Sequence, residues 1–374
     1  MKKFLVTALG IVVLLMLLLQ SRTVQGVLIG WYLPEFPHPP DTVSVLSDAA
    51  GGEIHFPSAS PFDLDVVLDG MKGATPTTGL GYLTVPEAAS AQHPVPAMII
   101  LPGSGGISPG REREYAELLM RNGIASFVLE YYLPRGMTPD FPYLVRTSNV
   151  TEFDIVTDAY AALKLLSTST RIDPRRIGLM GFSYGGMAAR FAIDERFREA
   201  LVPELPGFAL YADFYGPCFQ KLDTTRARAV PLLTLRGTDD ASNDLAACAA
   251  RERELAALGV VVQPHVFPGA GHAWENTAPR MLRDNPYLRG CELDYDAKGF
   301  AYLDGKHITD IRAGASRFER IAARITSGGA YEDCLQYGYI VGHDEESTRR
   351  GYELLLDFLA RNFATGDAVP RAAG

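Results

Sequence analysis

The chain has few cysteines and tryptophans, four and two in 374 residues. No two cysteines form C-x-x-C and no Cys/His pair has metal-ligand spacing, so a structural zinc site has no motif to rest on. Basic residues are outnumbered, 35 Lys and Arg against 44 Asp and Glu, for a formal net charge of −9 at pH 7. They are not clustered either, which excludes nucleic acid as a partner on charge grounds and disfavours any anionic macromolecule. Internal repeats and low-complexity tracts are absent. The remaining composition, 47% hydrophobic and 21% charged, is that of a globular chain able to bury one large α/β domain or two smaller ones.

Long apolar runs are confined to the N-terminus. Lys2 and Lys3 precede an uninterrupted apolar stretch from Phe4 to Leu19. A charged start followed by such a run has the form of an export signal. The run is slightly short for a membrane span but could serve as one. No A-x-A site follows, and Val24-Gln25-Gly26 is a poor substitute. Residues 1–26 therefore read as a signal peptide or an uncleaved membrane anchor. Either places the rest of the chain outside the cytoplasm, in the periplasm or beyond. Four cysteines in an exported chain point to disulfides, which four residues can form in three connectivities.

Beyond the N-terminus the reading is a proline-rich, irregular lead-in over 27–60, then one domain over 61–365. Asp65–Leu68 and Leu80–Pro86 read as short strands. Val95–Leu101, Ala125–Tyr131, Arg176–Met180, Phe208–Phe214, Val230–Leu235 and Val260–Phe267 read as further strands. Between them, Glu112–Met120, Phe153–Leu166 and Leu245–Leu258 have apolar residues at helical spacing, as does Glu353–Phe363 at the end. Strands alternating with helices predict a mostly parallel sheet covered on both faces, with its site at the carboxyl ends of the strands. Residues 278–342 break this rhythm and read as an insertion or cap. Cys218 follows one strand, and Cys248 lies on the helix after the next. Adjacent strand ends would pair these two, leaving Cys291 to pair with Cys334 inside the insertion.

The most informative stretch is Gly181-Phe182-Ser183-Tyr184-Gly185-Gly186, which fits G-x-S-x-G between a strand and a helix. A serine at such a turn is thrust out at the sheet's carboxyl edge, and the N–H of Tyr184, backed by a helix N-terminus, points to where an oxyanion forms. A serine needs a base, and the base an orienting acid. Pro231–Leu235 runs into Arg236-Gly237-Thr238-Asp239-Asp240, which sets a carboxylate past a strand end. Asp240 is the favoured acid, with Asp239 the competitor. Val260–Phe267 runs into Pro268-Gly269-Ala270-Gly271-His272, which makes His272 the base. The loop Pro102-Gly103-Ser104-Gly105-Gly106 follows another strand and offers the Ser104 N–H as second oxyanion donor. A phosphate-binding role for this loop is disfavoured, since it fits neither G-x-G-x-x-G nor G-x-x-x-x-G-K-[ST].

In this order, these four segments resemble the dienelactone hydrolase-related α/β-hydrolases, from about Gly79 to Ala273 plus the last helix. By that likeness Ser183 matches the nucleophile, Asp240 the aspartate of G-x-x-D and His272 the base. The resemblance implies an α/β-hydrolase fold, no cofactor, no metal and a small ester or acyl substrate. The founding enzymes carry cysteine where this chain has Ser183, so a general esterase-like hydrolase is expected in place of a dienelactone-specific one. Gly-Phe-Ser-Tyr-Gly-Gly also looks like prolyl-oligopeptidase relatives, but the chain has no room for their large N-terminal domain. Two alternatives stand beside the esterase. One is a peptidase of the same fold, which would need acids such as Glu130 or Glu275 for a peptide amine. The other is an exported binding protein, which would need none of Ser183, Asp240 and His272.

Overall fold

The computed structural model describes residues 20–308, 311–312 and 314–364. The Phe4–Leu19 run lies outside them. Among the described residues no helix is long and apolar enough to cross a membrane.

Nine strands precede residue 270: β1 (Gly52–Ser60), β2 (Thr75–Thr84), β3 (Val95–Leu101), β4 (Ala125–Glu130), β5 (Ile172–Phe182), β6 (Tyr211–Phe214), β7 (Gln220–Leu222), β8 (Pro231–Gly237) and β9 (Val261–Phe267). All but β7 form one sheet in the order β1-β2-β4-β3-β5-β6-β8-β9. β1 and β2 pair antiparallel, as do β2 and β4. From β4 to β9 every pairing is parallel. The chain thus has the α/β-hydrolase architecture expected of it, a mostly parallel sheet with helices on both faces.

Side chains of a strand alternate between faces, and here each face has its own core. Ile99, Leu101 and Leu179 join the helices Glu152–Leu166 and Tyr184–Phe191 on one side. Met98, Ile100 and Met180 join Glu112–Arg121 and Glu345–Ala364 on the other. A sheet buried on both faces needs continuous apolar strands, which is why β3 reads Met98-Ile99-Ile100-Leu101. Glu152–Leu166 begins at a capping box, with the Thr151 and Asp154 side chains each accepting from the other's backbone N–H.

Two local expectations are corrected. Asp65–Leu68 is not a strand but part of a short helix, Leu64–Leu68; three apolar residues in a row cannot separate the two periods. The segment 27–60 is not all irregular. It carries most of the helix Arg22–Tyr32 and the whole of β1, so the sheet begins before residue 61. β1 is an edge strand, where Pro57 costs no central ladder bond, and its polar residues hid it.

Residues 278–342 hold more order than their polarity indicated. β10 (Met281–Leu288) pairs antiparallel with β14 (Leu335–Val341). β11 (Leu293–Tyr295), β12 (Ala301–Leu303) and β13 (Lys306–His307) form a small sheet that β7 joins in parallel with β11. The helix Arg317–Thr326 packs against Arg22–Tyr32. Both disulfides form as expected: Cys218–Cys248, with Cα atoms 5.0 Å apart, and Cys291–Cys334, at 5.7 Å.

Candidate active site

Ser183 stands between β5 and the helix Tyr184–Phe191 with φ 54° and ψ −117°, a conformation that side chains other than glycine rarely adopt. Its neighbours make the turn tight. A Cβ on Gly181 would lie 2.1 Å from the Gly185 carbonyl oxygen, and one on Gly185 would lie 2.4 Å from the Leu101 and Pro102 oxygens. Only glycine lets the turn press against the end of β3. Ser183 N–H donates to Phe214 O at 2.8 Å, which ties the turn to β6. Strain gathers here: Tyr215 and Ala273 also have positive φ, at 43° and 51°.

Three elements bring the polar groups together. His272, on the loop after β9, sets Nε2 2.9 Å from Ser183 Oγ. Its Nδ1 lies 2.7 Å from Asp240 Oδ2, past the end of β8. Asp240 is buried, and Asp239 points away to an exposed ion pair with Arg280. A hydroxyl, an imidazole and a carboxylate in this relay can move a proton off the hydroxyl while the charge on the ring is balanced. Tyr184 is the first residue of its helix, where a backbone N–H has no intrahelical acceptor.

The Gly103–Gly106 turn is held from beneath. Tyr131 Oη donates to the carbonyl oxygens of Gly103, at 2.5 Å, and Pro102, at 3.1 Å. Tyr132 Oη donates to Ser104 O at 2.8 Å. In a trans peptide the carbonyl and the following N–H point in opposite directions. Pinning Gly103 O therefore turns Ser104 N–H to the opposite side of that peptide, and Ser104 lines the cavity with Ser183 and His272.

Several participants carried no local sequence signal. Ser242 N and Oγ donate to Asp240 Oδ1, and Asn243 Nδ2 donates to Asp240 Oδ2. The insertion braces the base: His272 N–H donates to Ile340 O at 2.7 Å, and the Tyr339 ring meets the imidazole edge-on at 5.3 Å. Behind it the Tyr215 ring stands at 4.7 Å, its hydroxyl donating to Glu275. Burial pushes the Glu275 carboxyl up, against the hydrogen bonds from Tyr215 and Tyr115. Deeper still lies Asp213 between Arg236 and Arg190. Burial alone would raise its carboxyl, but the two guanidiniums hold it below the usual range.

Neither acid considered for a peptide amine faces the cavity. Glu275 is the buried acceptor just described, and Glu130 accepts from the N–H groups of Tyr132 and Leu133. The cavity itself has a volume of about 440 Å³ and opens onto Ser183 and His272. Its walls are largely apolar and aromatic, with Tyr143, Tyr287, Tyr339, Leu293, Phe300 and Ile308 among them. More than half of the lining residues come from 278–342. Among the described residues no group of His, Cys, Asp and Glu is placed to hold a metal ion.

The family model described as the dienelactone hydrolase family matches residues 80–300. Among curated proteins, an uncharacterized protein of Mycobacterium tuberculosis is 28% identical over 244 residues, 59% of this chain and 79% of its own length. Among solved structures, a Klebsiella pneumoniae protein assigned to the dienelactone hydrolases is 16% identical with a TM-score of 0.47, covering 83% of this chain and 99% of its own. Esterase 2 of Thermogutta terrifontis, solved with propionate bound, is 18% identical with a TM-score of 0.43, covering 52% of this chain and 80% of its own.

Proposed function

The chain belongs to the dienelactone hydrolase family, and on that premise we propose that it is an exported serine esterase working through Ser183, His272 and Asp240. The observation that carries this reading is the unbroken relay of 2.9 Å and 2.7 Å from hydroxyl to imidazole to carboxylate. Ser183 Oγ attacks the ester carbonyl as His272 Nε2 takes its proton. The tetrahedral oxyanion accepts from the N–H groups of Tyr184 and Ser104. The His272 imidazolium, held by Asp240, then protonates the departing alkoxide, leaving an acyl-Ser183 ester. Water deprotonated by His272 attacks this ester, the acid departs, and the serine is restored. The largely apolar cavity favours an acyl or alcohol portion that is itself apolar.

Export is part of the same proposal, supported by Lys2, Lys3 and the Phe4–Leu19 run and by two disulfides of the kind that oxidising compartments preserve. Retention of the N-terminus is favoured over cleavage near Gly26. An uncleaved N-terminus keeps whole the helix Arg22–Tyr32, in which Gly26 packs against Glu319.

A fluorophosphonate probe tests the chemistry. It is expected to label Ser183, and Ser183→Ala to lose both the label and at least about a thousandfold in kcat toward p-nitrophenyl esters. A folded Ser183→Ala protein with near-normal turnover would sink the reading.

A further inference from the structure

The helix Arg22–Tyr32 is amphipathic in the reverse sense for one that faces water. Its inner side is small and polar. A Cβ on Gly26 would meet Glu319 Cγ at 3.0 Å, and one on Gly30 would meet Phe318 Cδ2 at 3.1 Å. Thr23 Oγ1 donates to Glu319 Oε1 at 3.0 Å. Its outer side carries the bulk: Val27, Leu28, Trp31 and Tyr32 are 50%, 43%, 81% and 66% exposed. The helix has no acidic residue in its first turn and no basic residue in its last. A surface helix ordinarily turns its large apolar residues to the core and its charges to water. Single exposed apolar residues need no explanation, but four on one uncharged helix face do.

The sequence indicates what covers this face. Only Gln20 and Ser21 separate the helix from the apolar run Phe4–Leu19. The face therefore begins where a membrane-seeking segment ends, and it ends in Trp31 and Tyr32, whose part-polar rings favour the membrane–water interface. We infer that the outward face of Arg22–Tyr32 docks onto a lipid bilayer, with Trp31 and Tyr32 at headgroup depth. The inference rests on the proposed anchorage only in that the anchor brings the helix to a bilayer.

Docking here bears on the cavity. The helix Arg317–Thr326, against which Arg22–Tyr32 packs, also packs against the helix Tyr143–Asn149. Arg324 and Leu144 of these two helices line the cavity, and Leu144 and Ile325 are 67% and 54% exposed. The apolar face thus adjoins elements of the cavity wall, and a bilayer-borne ester would be presented close to them.

The chain supplies its own probe, since its two tryptophans differ in setting: Trp31 is exposed and Trp274 fully buried. The full-length protein is reconstituted into phosphatidylethanolamine–phosphatidylglycerol vesicles with and without brominated acyl chains. The expected result is loss of most of the Trp31 emission to the bromolipid, shielding of Trp31 from aqueous iodide, and no bromolipid effect on a Trp31→Phe variant. That variant should keep wild-type turnover of a soluble ester. Iodide-accessible Trp31 in the vesicles would overturn the inference. So would Trp31 shielded from both quenchers, which would mean that a second copy or residues 1–19 cover the face. Alkaline extraction of the same vesicles reads the anchor separately, so the two can fail independently.

Discussion

The Asp240 oxygen that meets His272 Nδ1 at 2.7 Å also accepts the Asn243 side-chain amide at 2.8 Å. Asn243 is itself fixed. Its Nδ2 donates to Tyr215 O at 2.9 Å and its Oδ1 accepts from Arg236 Nη1 at 3.2 Å. With Ser242 on the other oxygen, the carboxylate cannot turn without breaking several bonds at once. Removing Asn243 should let it turn. Asn243→Ala is expected to lower kcat by about ten- to a hundredfold with KM little changed, because positioning losses fall on the chemical step. Asn243→Asp should be worse, since it sets a second carboxylate against Asp240. Ester kinetics on folded variants check both; an Asn243→Ala enzyme within twofold of wild type would show the acid to be held without it.

Tyr131 sits on the other side of the chemistry. Its hydroxyl fixes the Gly103 carbonyl, and through that peptide plane the direction of Ser104 N–H. Loss of a whole oxyanion donor costs about a hundred- to a thousandfold in kcat. Tyr131→Phe removes this bond and the longer one to Pro102 O while the Gly106 N–H still holds the Gly103 carbonyl, so roughly tenfold in kcat is expected, with KM near wild type. A rise in KM at constant kcat would mean that the hydroxyl shapes the cavity and does not orient the donor.

What could be read from the sequence follows from where the information lies. Ser183, Asp240 and His272 each follow an apolar strand, and a parallel sheet presents its strand ends on one side, so order along the chain translated into proximity. The residues of Gly237-Thr238-Asp239-Asp240 left either aspartate open as the acid, and it was the resemblance to G-x-x-D that pointed to Asp240, the one that turns inward. Ser242 and Asn243 could not be read in the same way. In Asp239-Asp240-Ala241-Ser242-Asn243-Asp244 nearly every residue is a good turn or cap former, and only the fold decides which side chains face in. Tyr339 and Ile340 reach His272 from another strand, β14, far along the chain, so no local pattern links them. β1 was hidden by His55, Pro57 and Ser58, because its pairing with β2 outweighs weak strand propensity.

The cavity wall makes a prediction about pH. Asp63 lies 2.8 Å from Arg320 Nη1, yet burial outweighs that guanidinium and pushes its carboxyl up from 3.8 to about 6. The folded protein therefore holds this proton more tightly than the unfolded chain. The stability linked to it is complete below the unfolded value of 3.8, falls as pH rises toward about 6, and is flat above. Asp63→Asn stays neutral throughout, and Arg320 keeps its bonds to Asp65 at 2.7 and 3.0 Å. Urea unfolding at several pH values should show the variant gaining on wild type between about pH 4 and 6, with no further change to pH 8. A constant difference across that range would contradict the raised carboxyl.

The two disulfides should separate by function though not by stability. Their sequence separations, 30 and 43 residues, give loop-closure contributions of about 3–4 kcal/mol each, differing by only a few tenths. Their settings differ far more. Cys218 lies just beyond Gly216, whose N–H donates to Asp213, and Cys248 is on the helix that follows the Asp240 loop. This bridge ties the end of β6 to the segment that carries the acid. Cys291 and Cys334 flank Leu293 and Leu335, which line the cavity. Replacing both cysteines of each pair by serine should lower the urea midpoint to a similar degree. Loss of Cys218–Cys248 is expected to fall mainly on kcat, through the acid loop. Loss of Cys291–Cys334 should fall mainly on KM for bulky esters, through the wall. Steady-state kinetics on the two double variants at a temperature where both remain folded decides the matter; indistinguishable kinetic changes would show that the bridges act only through global stability.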